Sequence, residues 1–382
     1  MNRKTLLAFL GTSSYRLCTY KMPSGETYVT NFVLSAIASS LCKNWKESDI
    51  IYIFTTQEAK EKNWNNLINN DGTIKKGLNE VLIDLNLPAR HEAVIIPEIV
   101  TEKKIWDTFR IIFERLNEND EIYIDITHGF RASPLLLMTL LNYSSFLKET
   151  FVRGIFYGAD QAKVLENGVE ITPVWNLNDI ALLNEWTSGA LEYINFGDPR
   201  RIKKLAEKSA LPGFRSGSED ERNSALRILD LSKSIVKVSV NLATVRGFNI
   251  CSSKEAANAV DISKSIEKED LVPPFSPFME KIRQKIDKFK PENDLNFLYA
   301  VKYCIDHNLI QQGITFMQEG IVTYILKKFG FRFTAIDSNE KKEIIRNREN
   351  VSKALHYISF RKAKRCNPYT GKGLNSRKIL KL

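Results

Sequence analysis

The apolar run Ile122-Tyr123-Ile124 passes without a break into Asp125-Ile126-Thr127-His128-Gly129-Phe130-Arg131, and then into Pro134-Leu135-Leu136-Leu137-Met138. A short buried strand therefore meets a helix N-terminus across a polar turn that contains one glycine. In a parallel sheet such a turn lies at the carboxyl edge, where backbone N–H groups and the helix dipole hold anions. This turn also carries an acid, a hydroxyl, an imidazole and a guanidinium within seven residues. Only four histidines occur in the chain, so a turn this dense in polar groups marks a candidate site.

The same alternation runs through residues 1–175. Leu6–Leu10 is an apolar run closed by Gly11-Thr12-Ser13-Ser14, and Tyr28–Asn31 is either a hairpin strand or the approach to a helix. Ile50–Phe54 reads as a buried strand capped by Thr55-Thr56-Gln57-Glu58. Helices are predicted over 58–69, 74–86, 101–117 and 133–147, with strands at Ala93–Ile96, Ile122–Asp125 and Gly154–Tyr157. Short apolar strands separated by amphipathic helices give βαβ units, so the fold class of this part is α/β, a Rossmann-like parallel sheet. After Trp175 helical periodicity takes over, across 178–195, 198–210, 219–246, 276–289, 294–308, 311–329 and 339–360. Leu271-Val272-Pro273-Pro274-Phe275-Ser276-Pro277 breaks this region. The sequence thus divides into an α/β domain (1–175), a helical connector (176–270), an all-α domain (271–360) and a basic tail (361–382).

Composition narrows the function classes. Hydrophobic residues make up 43% and charged residues 26%, an ordinary globular balance. No apolar run approaches the ~18–20 residues of a membrane span. Met1–Gly11 has basic residues before an apolar run, but Leu6–Leu10 is too short for a signal-peptide core and fits a first strand better. Five scattered cysteines at no metal spacing point to a reduced cytoplasm and to no metal or other resident cofactor. The net charge is +10, yet Arg361–Leu382 holds eight Lys or Arg and no acid, so the body is close to neutral. Such a tail either attracts phosphate backbone or is simply solvated.

Four strand ends carry polar groups: Gly11-Thr12-Ser13-Ser14-Tyr15, Thr55-Thr56-Gln57, Thr127-His128-Gly129-Phe130-Arg131 and Gly158-Ala159-Asp160. Convergent hydroxyls with one Arg and one His suit a phosphorylated, ribose-bearing ligand. The sequence has neither a GxGxxG nor a Walker A motif, which disfavours ordinary dinucleotide and nucleoside-triphosphate cradles. A first strand leading into Gly-Thr-Ser-Ser, with a later Asp-x-Thr-His-Gly-Phe-Arg turn, resembles the CARF domain of CRISPR-associated proteins. Tyr157-Gly158-Ala159, Leu183-Asn184-Glu185-Trp186 and Phe196-Gly197-Asp198 extend that resemblance to the CARF–HEPN ribonucleases of type III systems. Leu309-Ile310-Gln311-Gln312-Gly313 and Gln318-Glu319-Gly320 continue it less sharply.

The resemblance implies a CARF dimer that binds a cyclic oligoadenylate, cyclic tetra-adenylate foremost, on its two-fold axis. The residues it assigns are Gly11, Thr12, Ser13, Ser14, Thr127, His128, Gly129 and Arg131, with adenines beside Phe130 or Tyr157. It further implies a homodimer or higher oligomer whose HEPN-like domain, without metal, cleaves single-stranded RNA as an allosterically activated endoribonuclease. HEPN sites use Arg-x(4–6)-His, commonly beginning Arg-Asn. Arg346, Asn347 and His356 are the catalytic candidates, but nine residues separate Arg346 from His356 and seven separate Arg348 from it. On an ideal helix Arg348 and His356 lie about 80° apart in azimuth and ~12 Å apart along the axis. Two alternatives therefore stay open. One is a sensor or sink with a degenerate nuclease site, and the other is a ring nuclease that degrades the activator in the CARF domain.

Overall fold

The computed structural model describes residues 2–68, 72–129, 132–216, 218–268, 276–332 and 338–363, and the chain divides between Leu182 and Leu183 into two compact units. The first contains β1 (Lys4–Leu10), β2 (Cys18–Lys21), β3 (Thr27–Thr30), α1 (Val33–Leu41), β4 (Ile50–Thr55) and α2 (Gln57–Ala59), which runs into a π-turn at Lys60–Trp64. Next come β5 (Leu67–Ile68), β6 (Ile74–Lys75), α3 (Leu78–Asp84), β7 (Arg90–Ile95), α4 (Glu102–Arg115) and β8 (Glu121–Asp125). The unit closes with α5 (Ser133–Leu147), β9 (Phe151–Gly158), β10 (Val164–Glu166) and β11 (Val169–Asn176).

The main sheet runs β3-β2-β11-β9-β8-β1-β4-β7, and β10 hangs on β11. From β9 to β7 every pair is parallel, which accounts for the apolar runs in β1 and β4: both strands are buried on two faces. Alternate β1 residues serve two separate cores. Leu6, Ala8 and Leu10 pack toward α1 and α3, while Leu7 and Phe9 pack toward α4 and α5. After β1 the chain builds outward through β4 and β7, then α4 brings it back to β8 on the opposite side of β1. The strand order therefore reverses between β1 and β8, where α/β folds place their ligands.

The structure changes two readings of the sequence in this unit. Residues 58–69 and 74–86 hold a short helix, a π-turn, the β5–β6 hairpin and the seven-residue α3 instead of two helices. Gly72, with φ +81°, stands in the gap between those two predicted helices, and the β5–β6 pairing across it takes residues that the periodicity had assigned to helix. The sheet also extends past β9: β11 runs antiparallel to it and pairs in parallel with β2, whose hairpin with β3 settles the ambiguous Tyr28–Asn31 stretch as strand.

The second unit is helical, with α6 (Asn178–Phe196) leading into it, then α7 (Arg200–Ser216), α8 (Glu219–Ala243), α9 (Gly247–Ser252) and α10 (Lys254–Lys268). It continues through α11 (Ser276–Ile286), α12 (Asn296–Asp306), α13 (Ile310–Lys328) and α14 (Ser338–Ala363), and among the described residues no strand follows Asn176. Helices α9 and α10 fall in a gap left by the periodicity reading. A capping box starts α8: the Ser218 hydroxyl accepts the Glu221 N–H at 3.3 Å, and Glu221 accepts the Ser218 N–H at 2.8 Å. Close packing of α12 on α13 needs Gly320, where a Cβ would stand 3.0 Å from that of Phe297.

Residues 271–275 of the sequence joint, and 364–382 of the basic tail, lie outside the described residues. On either side of that joint, fully buried Asn296 links α12 to the α9–α10 corner. Its amide nitrogen donates to the carbonyls of Ile250 (3.0 Å), Cys251 (3.2 Å) and Lys290 (2.7 Å) and to the Ser253 hydroxyl (2.9 Å). Its carbonyl accepts the Lys290 N–H at 3.1 Å. Removing this side chain strands several buried partners at once, so Asn296→Ala is expected to lower the unfolding free energy of the helical unit by about 3 kcal/mol. Urea denaturation measures it; a loss below about 1 kcal/mol would mean that water replaces the amide without penalty.

Candidate ligand-binding site

Because β1 and β8 are adjacent and parallel, the turns that follow them open on the same edge of the sheet. The register pairing Leu7 with Ile124, carried three residues further, brings Thr127 level with Leu10. Each turn is held by side chains rather than by regular pairing. Under the first, Asn63 of the π-turn is 4% exposed and donates its amide to the carbonyls of Gly11 (2.8 Å) and Ser13 (3.0 Å). With those carbonyls held inward, the side chains of Thr12, Ser13 and Ser14 stand exposed to solvent.

In the second turn, Asp125 Oδ1 accepts the Thr127 N–H at 2.9 Å, and Thr127 Oγ1 accepts the Gly158 N–H at 2.8 Å. The third strand end, at β9, is thereby tied to the site. Gly129 has φ +132°, and a Cβ there would fall 2.6 Å from Ser133 Oγ and 3.3 Å from the Phe9 ring. Only glycine fits, and this allows the backbone to turn tightly into α5.

Tyr15 joins the two turns. Its Oη accepts the Gly11 N–H at 3.0 Å, and its ring lies 4.8 Å from those of both Phe32 and His128, edge-on to the imidazole. Burial pushes the Tyr15 phenol up to about 12, so it is neutral at physiological pH. Burial also pushes the His128 imidazole down and the Asp125 carboxyl up, while each one's charge partly offsets the shift in the other. Three buried atoms here have no hydrogen-bond partner among the described residues: Asp125 Oδ2, His128 Nε2 and Ser133 Oγ. Unpaired buried polar atoms are rare in folded proteins, and three at one sheet edge point to a site completed by something else. Exposed hydroxyls, turn N–H groups and a neutral imidazole suit a phosphate- and ribose-bearing ligand. Among the described residues there is no cluster of three metal-ligating side chains.

Of the residues the sequence singled out, Gly11, Thr12, Ser13, Ser14, Thr127, His128 and Gly129 stand on these two turns, whereas Phe130 and Arg131 lie outside the described residues. Tyr15 and Asn63 escaped the sequence reading as site residues. Tyr15 stood beside the motif, but no sequence pattern marks Asn63, a buried asparagine in a segment that reads as helix.

The catalytic candidates lie elsewhere, on α14. Arg346 and His356 are exposed, Asn347 is half-buried, and one continuous helix keeps Arg346 and His356 about 15 Å apart along its axis. They do not meet within the chain. Arg348 faces α13: it donates to the Thr323 hydroxyl (2.8 Å) and the Glu319 carbonyl (3.1 Å), and pairs with the Glu319 carboxylate. Its guanidinium also lies 5.8 Å from the centre of the Phe297 ring. This makes Arg348 a clamp between α13 and α14.

A buried carboxyl with a raised pKa binds its proton more readily in the folded chain than in the unfolded one. Wild-type stability therefore increases as pH falls through the raised value and is lost above it. Asp125→Asn keeps an acceptor for the Thr127 N–H and removes the buried charge. It is expected to raise Tm at pH 8 by about 2–4 °C, with the gain shrinking as the pH is lowered and the wild-type carboxyl takes up its proton. Calorimetric scans across that range test this; a lower Tm at pH 8 would mean that the ionised carboxylate stabilises the turn.

Residues 5–161 match the family described as the CARF domain of the CRISPR system endoribonuclease Csx1. CRISPR-associated protein MJ1674 of Methanocaldococcus jannaschii is 27% identical over 247 residues, covering 63% of this chain and 34% of the relative. The chain thus spans about a third of the length of that curated relative. No helix among the described residues is long and apolar enough to cross a membrane. Both turns of the site fall inside the matched region, so the site lies in the part of the chain that is similar to the CARF domain of Csx1.

Proposed function

We propose that this chain is a cytoplasmic accessory protein of a type III CRISPR system, and that its N-terminal unit senses cyclic oligoadenylate. The observation that carries this reading is the pair of turns at the β1/β8 edge, with hydroxyls exposed and buried polar atoms left unpaired, inside the CARF match. Turn N–H groups and the hydroxyls of Thr12, Ser13 and Ser14 hold ring phosphates and riboses, and Arg131 adds positive charge. Cyclic tetra-adenylate is the proposed activator, bound across two copies of the chain.

A second copy is also supported by α13. Ile310, Ile314, Met317, Ile321 and Tyr324 recur at steps of three and four, and each is about half exposed or more. Such a stripe is self-complementary and reads as a helix–helix seam. Ile314→Glu combined with Met317→Lys is expected to shift the protein from dimer toward monomer in light scattering coupled to size exclusion. A dimer of unchanged mass would move the interface elsewhere.

The proposed output is metal-independent cleavage of single-stranded RNA by the helical unit. The RNA 2′-hydroxyl attacks the adjacent phosphate and the bond to the 5′-oxygen of the next nucleotide breaks, leaving a 2′,3′-cyclic phosphate and a 5′-hydroxyl. Arg346 stabilises the developing charge, and His356 of the second chain moves the proton from the attacking to the leaving oxygen, with Asn347 orienting the pair. Ring binding activates this step to the extent that the ring prefers the active conformation; about 3 kcal/mol of preference gives roughly a hundredfold. Labelled RNA incubated in EDTA with cyclic tetra- or hexa-adenylate is expected to be cut only when ring is present. Arg346→Ala and His356→Ala are each expected to lower the rate about a hundredfold or more. No cleavage by protein that binds the ring would support the second reading, a sensor or sink. The motif spacing and the engagement of Arg348 with Glu319 favour that alternative. Loss of the ring itself, dependent on His128, would identify a ring nuclease.

A further inference from the structure

The first turn contains a contact that competes with its proposed ligand. The Gly11 N–H, first of the backbone donors beyond β1, is taken by Tyr15 Oη at 3.0 Å. The same side chain, 8% exposed, lies edge-on to His128, whose Nε2 is buried without a partner. Phe32 packs against the same ring, 4.8 Å away between centroids. As long as Tyr15 stays in place, its Oη holds the Gly11 donor that a phosphate oxygen would use, and its ring packs on the half-buried His128 imidazole. Yet the unpaired atoms of His128, Asp125 and Ser133 are the ones a ligand or its water would satisfy.

We propose that Tyr15 is the gate of this site: its hydroxyl stands in for a ligand oxygen on Gly11, and ligand binding displaces it and uncovers His128. This rests on reading the crevice as the cyclic-oligoadenylate site and adds how entry to that site is controlled. The gate makes binding weaker than the bare site would allow, because one internal hydrogen bond breaks for each one gained. It is thus a specificity device, since a ligand lacking an anionic oxygen at Gly11 has nothing to offer in exchange.

Tyr15→Phe keeps the ring contacts with Phe32 and His128 and removes only the competing acceptor. Calorimetric titration with cyclic tetra- and hexa-adenylate is expected to show the variant binding the preferred ring about three- to tenfold more tightly than wild type. Equal or weaker binding, with wild type binding normally, overturns the gate and leaves the site reading intact. Wild-type protein that binds neither ring overturns the site reading, and the gate with it. Should the variant fail to fold, the ring-bound structure of the wild type decides. A ligand oxygen about 3 Å from Gly11 N with Tyr15 Oη moved away is expected, and a retained Tyr15–Gly11 bond contradicts the proposal.

Discussion

β1 is paired in parallel along both edges, to β8 on one side and β4 on the other, and both of its faces are covered by helices. From Thr5 to Leu10 every residue of this strand is buried, so its backbone must find its partners inside the fold, above all in the two flanking strands. That confinement fixes the place where the chain can first reach solvent, and it puts the β8 turn alongside. Asn63 then decides how the first turn faces. By taking the carbonyls of Gly11 and Ser13 it leaves the hydroxyl side chains between and beyond them outside. The site is a consequence of strand order, and its orientation depends on one buried amide.

The unpaired atoms at this edge fit the general tension between stability and function. Asp125, His128 and Ser133 each bury a polar atom that the fold does not satisfy, and the carboxyl and imidazole both shift toward their neutral forms. A chain selected for stability alone would place apolar groups there. Their presence is the clearest physical sign that the edge is built for more than packing.

Much of this was legible in the sequence, for identifiable reasons. The β1, β4 and β8 strands are unbroken apolar runs because both faces are buried, and Gly11 and Gly129 stand where the backbone turns. That combination located both turns before any coordinates. What stayed hidden depends on distance along the chain. Asn63 lies fifty residues from Ser13 and inside a helical pattern, so nothing local announces its role. The β11 extension was missed because Pro173 interrupts a run that survives only through its pairing with β2 and β9. On α14 the Arg-Asn start was visible, whereas the engagement of Arg348 with Thr323 and Glu319 was not. Only the packing of α13 against α14 separates that clamp from the exposed Arg346.

We propose, as the point on which the rest depends, that the β1/β8 edge of this CARF-like region binds a cyclic oligoadenylate between two copies of the chain. Its most direct test is calorimetric titration of the purified protein with cyclic tetra-adenylate, with the stoichiometry read beside that of a His128→Ala variant. One ring for every two chains and a substantial loss of affinity in the variant are expected. One ring per chain, or binding indifferent to His128, would contradict it.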